Sequence, residues 1–261
     1  MLQEIEERMK FRIELTNYVN LLIKISRQDK LQELSELRNI DIETLRKCDI
    51  FYVEDNASLL LPQYLDKLED FGVISPTNKR PIYKERWVIP IKDEYGLVQS
   101  LVGYSNVSNE RYVYATTKYY MRADTMWGLE NIEEAYKCGY AILAEGIMDA
   151  IHIRSVGYQV AYATCGTRPS EFNMKQLNRC EHGVVMIHDR DLAGYKTRKH
   201  WVTNRYVILN TPVQYKDADE TLKQSQENVD WFKSYMDSCI DWLKKEKHHG
   251  YKCPNLEATM M

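Results

Sequence analysis

The stretch "AILAEGIMDAIHI", residues 141–153, decides the fold class of this chain. Its first four residues are uncharged, the run stops at Glu145 directly before Gly146, and Asp149 follows one helical turn later. A short apolar run followed at once by glycine is typical of a buried strand that ends in a tight turn into a helix. Glu145 is therefore predicted at the carboxyl end of a strand, where open α/β sheets carry their chemistry.

The same rhythm continues through the second half of the chain. The segments "YAILAE", "YQVAYATCG", "GVVMIHD" and "RYVILN" read as four short apolar strands, and helix-like segments separate them. Strands that alternate with helices predict a parallel sheet joined by right-handed crossovers. Upstream, "RWVIPIKDEYGLVQSLVGYS" has two strand-like runs around a polar turn with glycine, which predicts a β-hairpin.

These changes of pattern predict an α/β fold: a Rossmann-like domain with a parallel sheet, preceded by a mixed α+β subdomain and an N-terminal helical segment. Up to Gly72 the apolar residues keep helical spacing, including the stretch "ASLLLPQYLDKLEDFG". We expect four parts: a helical subdomain at 1–84, a mixed β/α basic subdomain at 85–139, the α/β domain at 140–222, and a C-terminal helix and tail at 223–261.

The composition is that of an ordinary globular protein. The chain has 261 residues, of which 44% are hydrophobic and 28% are charged. No stretch approaches the roughly 18 apolar residues that a membrane span needs. The first residues, "MLQEIEERMK", are acidic and helical, unlike a signal peptide. We therefore expect a cytoplasmic protein, in the host cytoplasm if the chain is viral, with no membrane partner.

The cysteines predict neither a disulfide framework nor a zinc ribbon. Six are present, and none falls in a CxxC or CxH pair. His248, His249 and Cys253 leave open a metal-binding tail, but loose ligands near a terminus are usually exposed side chains. No structural zinc is therefore predicted.

Positive charge is concentrated in one segment although the chain as a whole carries a net charge of −3. Between Lys79 and Arg122, eight basic residues stand against four acidic ones. A local excess of this kind suits a phosphate backbone, and an ordinary solvated face is the alternative. The basic residues available for such contacts include Arg86, Arg111, Lys118 and Arg122.

Acidic residues follow the ends of several predicted strands, so we expect them to converge on one edge of the sheet. They are Glu145, Asp149, Asp189, Asp191, Asp217 and Asp219. Two carboxylates about 5 Å apart repel by about 3 kcal/mol at an effective dielectric near 20, so such a cluster must take up protons or bind a cation. An all-oxygen cluster selects Mg²⁺ or Mn²⁺ over zinc, and these ions serve displacement at phosphorus.

The combination of these motifs resembles a known family. "AEGIMDA" together with "HDRDLAG" is similar to the Toprim domain shared by bacterial-type primases, topoisomerases, small RNA-maturation nucleases and recombination proteins. The hairpin segment and "MWGLENIEEA" resemble the DnaG-type primase catalytic core, as do "ATCGT" and "KDADETL". The resemblance runs in order from about Ser35 to Leu222 and covers most of the chain.

Carried over position by position, the resemblance implies a role for each candidate residue. Glu145, Asp189 and Asp191 are the implied catalytic residues and principal metal ligands. Asp217 and Asp219 are implied to hold a further ion, and Asp149 to support the glutamate or a water-mediated ion. Arg86 matches the family's basic residue that faces the template and nucleotide cleft, and Arg122 stands where the family usually has a lysine. At Tyr114 the family's asparagine is missing, which puts that nucleotide contact in doubt.

Two regions of the family have no counterpart in these motifs. DnaG-type primases carry a zinc-ribbon domain that helps to select the start site and a helical domain that docks on the replicative helicase. We therefore expect a separate zinc-ribbon subunit and a helicase partner within the primosome, as in a compact phage replication system. Residues 1–34 lie outside the resemblance and are the expected docking surface.

The expected activity is synthesis of RNA primers from ribonucleoside triphosphates on a single-stranded DNA template, by two-metal nucleotidyl transfer. Four tyrosines, Tyr112, Tyr114, Tyr119 and Tyr120, offer stacking surfaces for bases, and strand core is the alternative. A Toprim nuclease and a non-catalytic replisome subunit remain as other readings. The upstream hairpin disfavours the first, and so repulsive an acidic cluster disfavours the second.

Overall fold

The computed structural model describes residues 2–55, 59–115, 117, 119–120, 125–165, 169–190 and 205–245. The chain divides into two compact units, Met1–Met121 and Arg122–Met261. Within the described ranges, no helix is both long enough and apolar enough to cross a membrane. Asp191, Lys118 and Arg122, all candidate site residues, lie outside these ranges.

The first unit begins with three helices: α1 (Leu2–Ile25), α2 (Gln28–Arg38) and α3 (Ile42–Lys47). The apolar face of α1 contributes Phe11, Leu15, Tyr18, Val19 and Leu22 to the core. Asp41 begins α3, because its carboxylate accepts a hydrogen bond from the Thr44 amide, which would otherwise have no partner in the first turn. The predicted N-terminal helical segment is confirmed.

A four-stranded antiparallel sheet completes the first unit. Its strands are β1 (Phe51–Val53), β2 (Arg86–Lys92), β3 (Val98–Tyr104) and β4 (Tyr112–Tyr114), paired in that order. The β2–β3 hairpin is the predicted one. In its turn, the Asp93 carboxylate accepts hydrogen bonds from the amides of Tyr95 and Leu97, and Gly96 has a φ of 77°. The acidic turn with glycine thus closes the hairpin as its sequence predicts.

The segment before the hairpin differs from the sequence-based expectation. Helix was predicted through Gly72, but the described part has a short 3-10 turn at Pro62–Tyr64 followed by further turns. The amides of Tyr64 and Lys67 bond to carbonyls three residues earlier, which is the tighter 3-10 pattern. Turns of this kind still bury Leu68 and Phe71, so they mimic helical spacing in the sequence. The predicted division between residues 84 and 85 falls inside this unit.

A row of aromatic side chains crosses the sheet of the first unit. Tyr52, Trp87, Tyr104 and Tyr112 are register partners on the four successive strands, with ring centroids 5.3, 6.1 and 5.3 Å apart. Helix α2 packs on this row, and the Trp87 indole N–H donates to the carbonyl of Lys30 at 2.8 Å. Cross-strand aromatic pairs stabilise a sheet, so this row joins the strands to the helical layer.

The second unit contains the predicted parallel sheet. Its strands are β5 (Tyr140–Ala144), β6 (Ala161–Ala163), β7 (Gly183–Ile187) and β8 (Tyr206–Leu209), in the spatial order β6-β5-β7-β8. All three pairings are parallel. The described helices of this unit are α4 (Ile132–Cys138), α5 (Ile147–Ser155), α6 (Glu171–Leu177), α7 (Ala218–Leu222) and α8 (Gln226–Lys245). The α/β fold class is confirmed.

A buried arginine on α5 fastens the segment that precedes the sheet. The guanidinium of Arg154 lies 4.3 Å from the centre of the Trp127 ring. It donates hydrogen bonds to the carbonyls of Gly128 and Ala161, at 3.3 and 3.0 Å, and to Glu130 at 3.3 Å. The Trp-Gly-Leu step is therefore held against β6 by this side chain and by two backbone hydrogen bonds between Trp127 and Ala163.

Candidate active site

The first two candidate residues leave the sheet at the same edge. Ala144 and Ile187 are register partners on the neighbouring parallel strands β5 and β7. Glu145 follows the first strand directly, and Asp189 comes two residues after the second. The backbone amide of Asp189 donates to Oε1 of Glu145 at 3.3 Å, and Nδ1 of His188 lies 3.6 Å from the same oxygen. The predicted convergence of Glu145 and Asp189 is therefore present in the fold.

Asp149 lies on the first turn of α5, packed beneath Gly146. A Cβ atom added at Gly146 would collide with Oδ2 of Asp149, so a side chain at this position would displace the Asp149 carboxylate. Asp149 is only 8% exposed, and its Oδ1 accepts a 2.8 Å hydrogen bond from the backbone amide of Asp219. The glycine of the opening motif thus makes room for the aspartate that follows it.

The two aspartates of the "KDADETL" segment have different surroundings. Asp217 begins α7, and its carboxylate accepts a 2.7 Å hydrogen bond from the Glu220 amide. Asp219 is 5% exposed, and its Oδ1 lies 3.1 Å from Nδ1 of His152 on α5. Asp217 therefore caps a helix, whereas Asp219 is tied into the contact between α5 and α7.

Burial and mutual repulsion make the carboxylates of this cluster harder to ionise. Burial, followed by the charge of Glu145, raises the pKa of Asp189 to about 6. Burial and the charges of Asp217, Asp189 and Asp219 raise the pKa of Asp149 well above its usual range. Burial likewise raises the pKa of Asp217 despite the Glu220 amide. The cluster therefore holds its negative charge at a cost that a bound cation would remove.

One lysine partly offsets this repulsion. Nζ of Lys216 lies 3.1 Å from Oδ2 of Asp189, a pair whose effect is to lower the pKa of that aspartate. Its contribution ranks below those of burial and of Glu145. Lys216 therefore leaves most of the repulsion in place.

The donor chemistry fits a hard divalent cation. The converging groups are carboxylates, which Mg²⁺ and Mn²⁺ prefer. Within the described ranges, no three His, Cys, Asp or Glu side chains already surround a single position for an ion. Glu145 and Asp189 are two of the three implied principal ligands, and Asp191 lies outside those ranges.

Two candidate nucleic-acid residues lie in the first unit. Arg86 is half-buried and donates to the carbonyl of Glu110 at 2.9 Å and to the hydroxyl of Ser108 at 3.1 Å. Arg111 is exposed immediately before β4. Arg86 thus braces the loop between β3 and β4, while the charge of Arg111 faces solvent.

The tyrosines suggested as stacking surfaces are partly buried. Tyr112 and Tyr114 lie on β4, and Tyr112 continues the aromatic row. Tyr119 packs edge-on against Phe11, with the ring centres 5.2 Å apart. Packing thus occupies part of each of these rings.

Sequence reasoning assigned no role to His152 or Lys216. Lys216 lies in the "KDADETL" motif, directly before Asp217, so its position beside the acidic cluster could have been predicted from the sequence. His152 also lies in the opening stretch, three residues after Asp149, but its partner Asp219 is 67 residues away. Only the folded arrangement of α5 and α7 reveals that contact.

Comparison with known proteins identifies the second unit's central domain. Residues 140–219 match the family model described as Toprim domain. They include Glu145 and Asp189 with the strands that carry them. The acidic edge described above therefore lies within the segment that matches the Toprim model.

Two named relatives share a longer stretch. A DNA primase of Aquifex aeolicus is 30% identical over 187 residues, 65% of this chain and 37% of that protein. A DNA primase of Thermotoga maritima is 23% identical over 221 residues, 78% of this chain and 39% of that protein. The chain thus spans less than two fifths of the length of either relative.

Solved structures share the fold across both units. The zinc-binding and RNA polymerase domains of the Aquifex aeolicus primase match with a TM-score of 0.73 at 24% identity, covering 86% of this chain and 60% of that one. A DnaG primase catalytic domain solved with single-stranded DNA matches with a TM-score of 0.73 at 17% identity, covering 90% and 83%. At these identities the likeness establishes the fold.

Proposed function

We propose that this chain, which has a Toprim domain and the fold of the DnaG-type primase catalytic core, synthesises short RNA primers on single-stranded DNA. The observation that carries the proposal is the contact of Glu145 with Asp189 at the carboxyl edge of the parallel sheet. It occurs in a chain whose first unit also has the β2–β3 hairpin, a segment that resembles the strand pair of that core. The similarity to proteins named DNA primase supports the same conclusion.

Each acidic residue has a proposed task. Glu145, Asp189 and Asp191 bind Mg²⁺ or Mn²⁺, and Asp217 with Asp219 holds a second ion. Such ions neutralise the triphosphate and activate the attacking 3′ hydroxyl when they are bound. Asp149, which is buried behind Gly146, supports the ligands from within. The raised pKa of Asp189 fits a residue whose charge is stabilised by a cation.

The template is proposed to follow basic residues of the first unit. Arg111 is exposed and available to a phosphate. Arg86, in contrast, uses two of its N–H groups in hydrogen bonds to Ser108 and Glu110 in the loop between β3 and β4. Lys118 and Arg122 are proposed to extend the same path. A relative's catalytic domain has been solved with single-stranded DNA, which supports this choice of template. Few phosphate contacts imply weak binding that falls with salt.

Because the chain alone is expected to bind its template weakly, we propose that it acts together with partner proteins. A replicative helicase would supply the single strand, and a separate zinc-bearing subunit would help to select the start site. A phage-like replication system is the proposed setting. These assignments rest on the family resemblance and on the modest number of basic contacts.

One assay tests the proposal. The chain is incubated with single-stranded DNA, labelled ribonucleotides and Mg²⁺ or Mn²⁺, with and without a replicative helicase. Short RNA products should form, and Asp189→Ala should reduce them by at least about 100-fold, because a metal ligand supplies several kcal/mol of catalysis. Asp70→Ala, which changes an exposed aspartate in the other unit, is the control and should keep the activity.

Other outcomes identify the alternatives. Shortened DNA or RNA in place of new RNA would indicate a Toprim nuclease. Inertness under every condition, with nucleic-acid or helicase binding retained, would indicate a non-catalytic replisome subunit. Either result would overturn the primase proposal.

A further inference from the structure

His152 is buried at the centre of α5, and within the described part of the chain its side chain makes one polar contact, to an acidic residue of the candidate site. Nδ1 lies 3.1 Å from Oδ1 of Asp219, and the two side chains are 1% and 8% exposed. Nε2 has no hydrogen-bond partner within the described part of the chain. Burying a polar imidazole ring costs free energy, and the hydrogen bond to Asp219 offsets part of that cost.

The hydrogen bond runs from the ring to the carboxylate when Asp219 is ionised, because an ionised carboxylate only accepts hydrogen bonds. The carboxylate of Asp219 is therefore held at one oxygen by a donor that is itself fixed by the packing of α5.

The same two helices are joined a second time at Asp149. This residue lies one turn before His152 on α5, and its Oδ1 accepts the backbone amide of Asp219 at 2.8 Å. Asp219 is thus bound to α5 through both its side chain and its main chain. These two contacts, one helical turn apart on α5, fix the position of Asp219 against that helix.

We propose that His152 is a positioning residue that sets the carboxylate of Asp219, and with it α7 and Asp217, in the orientation that binds the second divalent cation. This inference rests on the proposed function of the acidic cluster. His152 does not touch the ion itself and acts through Asp219. Carboxylates that bind a metal are themselves commonly oriented by a hydrogen bond from a neighbouring residue.

Substitution of His152 separates this role from simple packing. His152→Asn keeps a donor near the position of Nδ1, whereas His152→Leu fills similar volume with no donor. His152→Gln carries its donor one bond further along the side chain and misplaces it. Ile151→Val, a change at the neighbouring buried position of α5, is the control for lost packing.

The experiment measures Mn²⁺ binding to the full chain by calorimetry and by the rise in its melting temperature, without nucleic acid or nucleotides. We expect His152→Leu to weaken binding about tenfold, as loss of such supporting contacts does elsewhere. His152→Asn should recover most of this loss, and Ile151→Val should bind as the unmodified chain does. In primer synthesis, His152→Leu should raise the half-saturating Mg²⁺ concentration more than it lowers the maximal rate.

Several results would overturn the inference. They are unchanged Mn²⁺ affinity in His152→Leu, equal losses in His152→Asn and His152→Gln, or no Mn²⁺ binding by the unmodified chain. If His152→Leu does not fold, as judged by circular dichroism, the comparison of the Asn and Gln variants decides alone. An unmodified chain that binds Mn²⁺ but makes no primers contradicts the proposed function and leaves the role of His152 to be decided by the metal-binding data.

Discussion

The backbone amide of Asp219 donates a hydrogen bond of 2.8 Å to the carboxylate of Asp149, a residue 70 positions earlier in the chain. This backbone donor stabilises the carboxylate of Asp149, which the neighbouring carboxylates repel. The backbone donor stabilises charge without adding a competing cation. Asp149 can therefore remain buried close to the other acidic groups.

Gly146→Ala should damage the site although the glycine has no functional group. The new Cβ would collide with Oδ2 of Asp149, and Asp149 or the turn must move. We expect a loss of stability of about 1 to 3 kcal/mol, typical of overpacking, together with weaker Mn²⁺ binding. Chemical denaturation and calorimetry measure the two effects. Gly157→Ala meets no neighbouring atom but strains the backbone, which has a φ of 115° there, so it is the control for lost stability without the collision. Equal Mn²⁺ losses in both variants would contradict this account.

Asp189→Asn should make the metal-free protein more stable. Removing one charge relieves the repulsion with Glu145 that helps to raise the pKa of Asp189. The gain at pH 7.5 should be on the order of 1 to 2 kcal/mol, less than the full shift because the Lys216 pair is lost as well. Urea denaturation in the presence of a chelator measures it. The same variant should lose the stabilisation that Mg²⁺ gives to the unmodified chain, and Asp70→Asn should change neither quantity.

The stability of the metal-free chain should depend on pH through Asp189. Its pKa is raised from 3.8 to about 6, so the folded state binds the proton more tightly than the unfolded state. The stabilising contribution is complete below about pH 4 and is lost as the pH rises past 6. The advantage of Asp189→Asn should therefore be small near pH 4 and full at pH 7.5. Denaturation curves at several pH values test this, and a constant difference would be the contrary result.

Metal binding should show the opposite trend with pH. Protons and the cation compete for the same carboxylate, so Mn²⁺ affinity should decline as the pH falls below about 6. Calorimetric titrations at pH 5.5 and 7.5 would measure the difference. Affinity that is independent of pH over this range would show that Asp189 does not bind the ion.

Arg154 should be essential to the stability of the second unit. Arg154→Leu removes hydrogen bonds to the carbonyls of Ala161 and Gly128, the charge pair with Glu130 and the stacking on Trp127, so we expect a loss of about 3 to 5 kcal/mol. Arg154→Lys should rescue little, because a single ammonium cannot reproduce the planar fork. Arg179→Ala, on an exposed arginine that stacks on Tyr136, should cost less than about 1 kcal/mol. Thermal unfolding of the three variants ranks these effects.

The two arginines of the first unit should respond differently to alanine substitution. Arg111→Ala should weaken binding of single-stranded DNA and reduce the slope of log affinity against log salt by about 1, without changing stability. Arg86→Ala should also lower the melting temperature, because the loop at Ser108 and Glu110 loses its brace. Fluorescence anisotropy at several salt concentrations separates the two. An unchanged salt slope for Arg111→Ala would remove that residue from the template path.

The parallel sheet was predictable because its central strands β5 and β7 are buried on both faces. Such strands appear in the sequence as short unbroken apolar runs, and the acidic residues that follow these two runs mark their carboxyl ends. Glu145 and Asp189 therefore converge as their positions in the sequence imply. The β2–β3 hairpin was equally clear, because Gly96 and the acidic turn are local signals.

The features that escaped prediction depend on distant partners or on backbone detail. Nothing near His152 in the sequence points to Asp219, since only the packing of α7 on α5 brings them together. The turns that bury Leu68 and Phe71 have the same apolar spacing as a helix and differ in their hydrogen bonds. Apolar spacing in the sequence shows which residues are buried, but it does not distinguish an α-helix from a series of turns.

The aromatic row has a spectroscopic consequence. Trp87 is the only tryptophan among residues 1–121, whereas four lie in the rest of the chain. It lies between the rings of Tyr52 and Tyr104 and is 5% exposed. Light absorbed by those tyrosines can pass to this indole, whose emission shifts to longer wavelength once water reaches it. The difference between the emission spectra of the unmodified chain and of Trp87→Phe therefore follows the melting of the first unit alone.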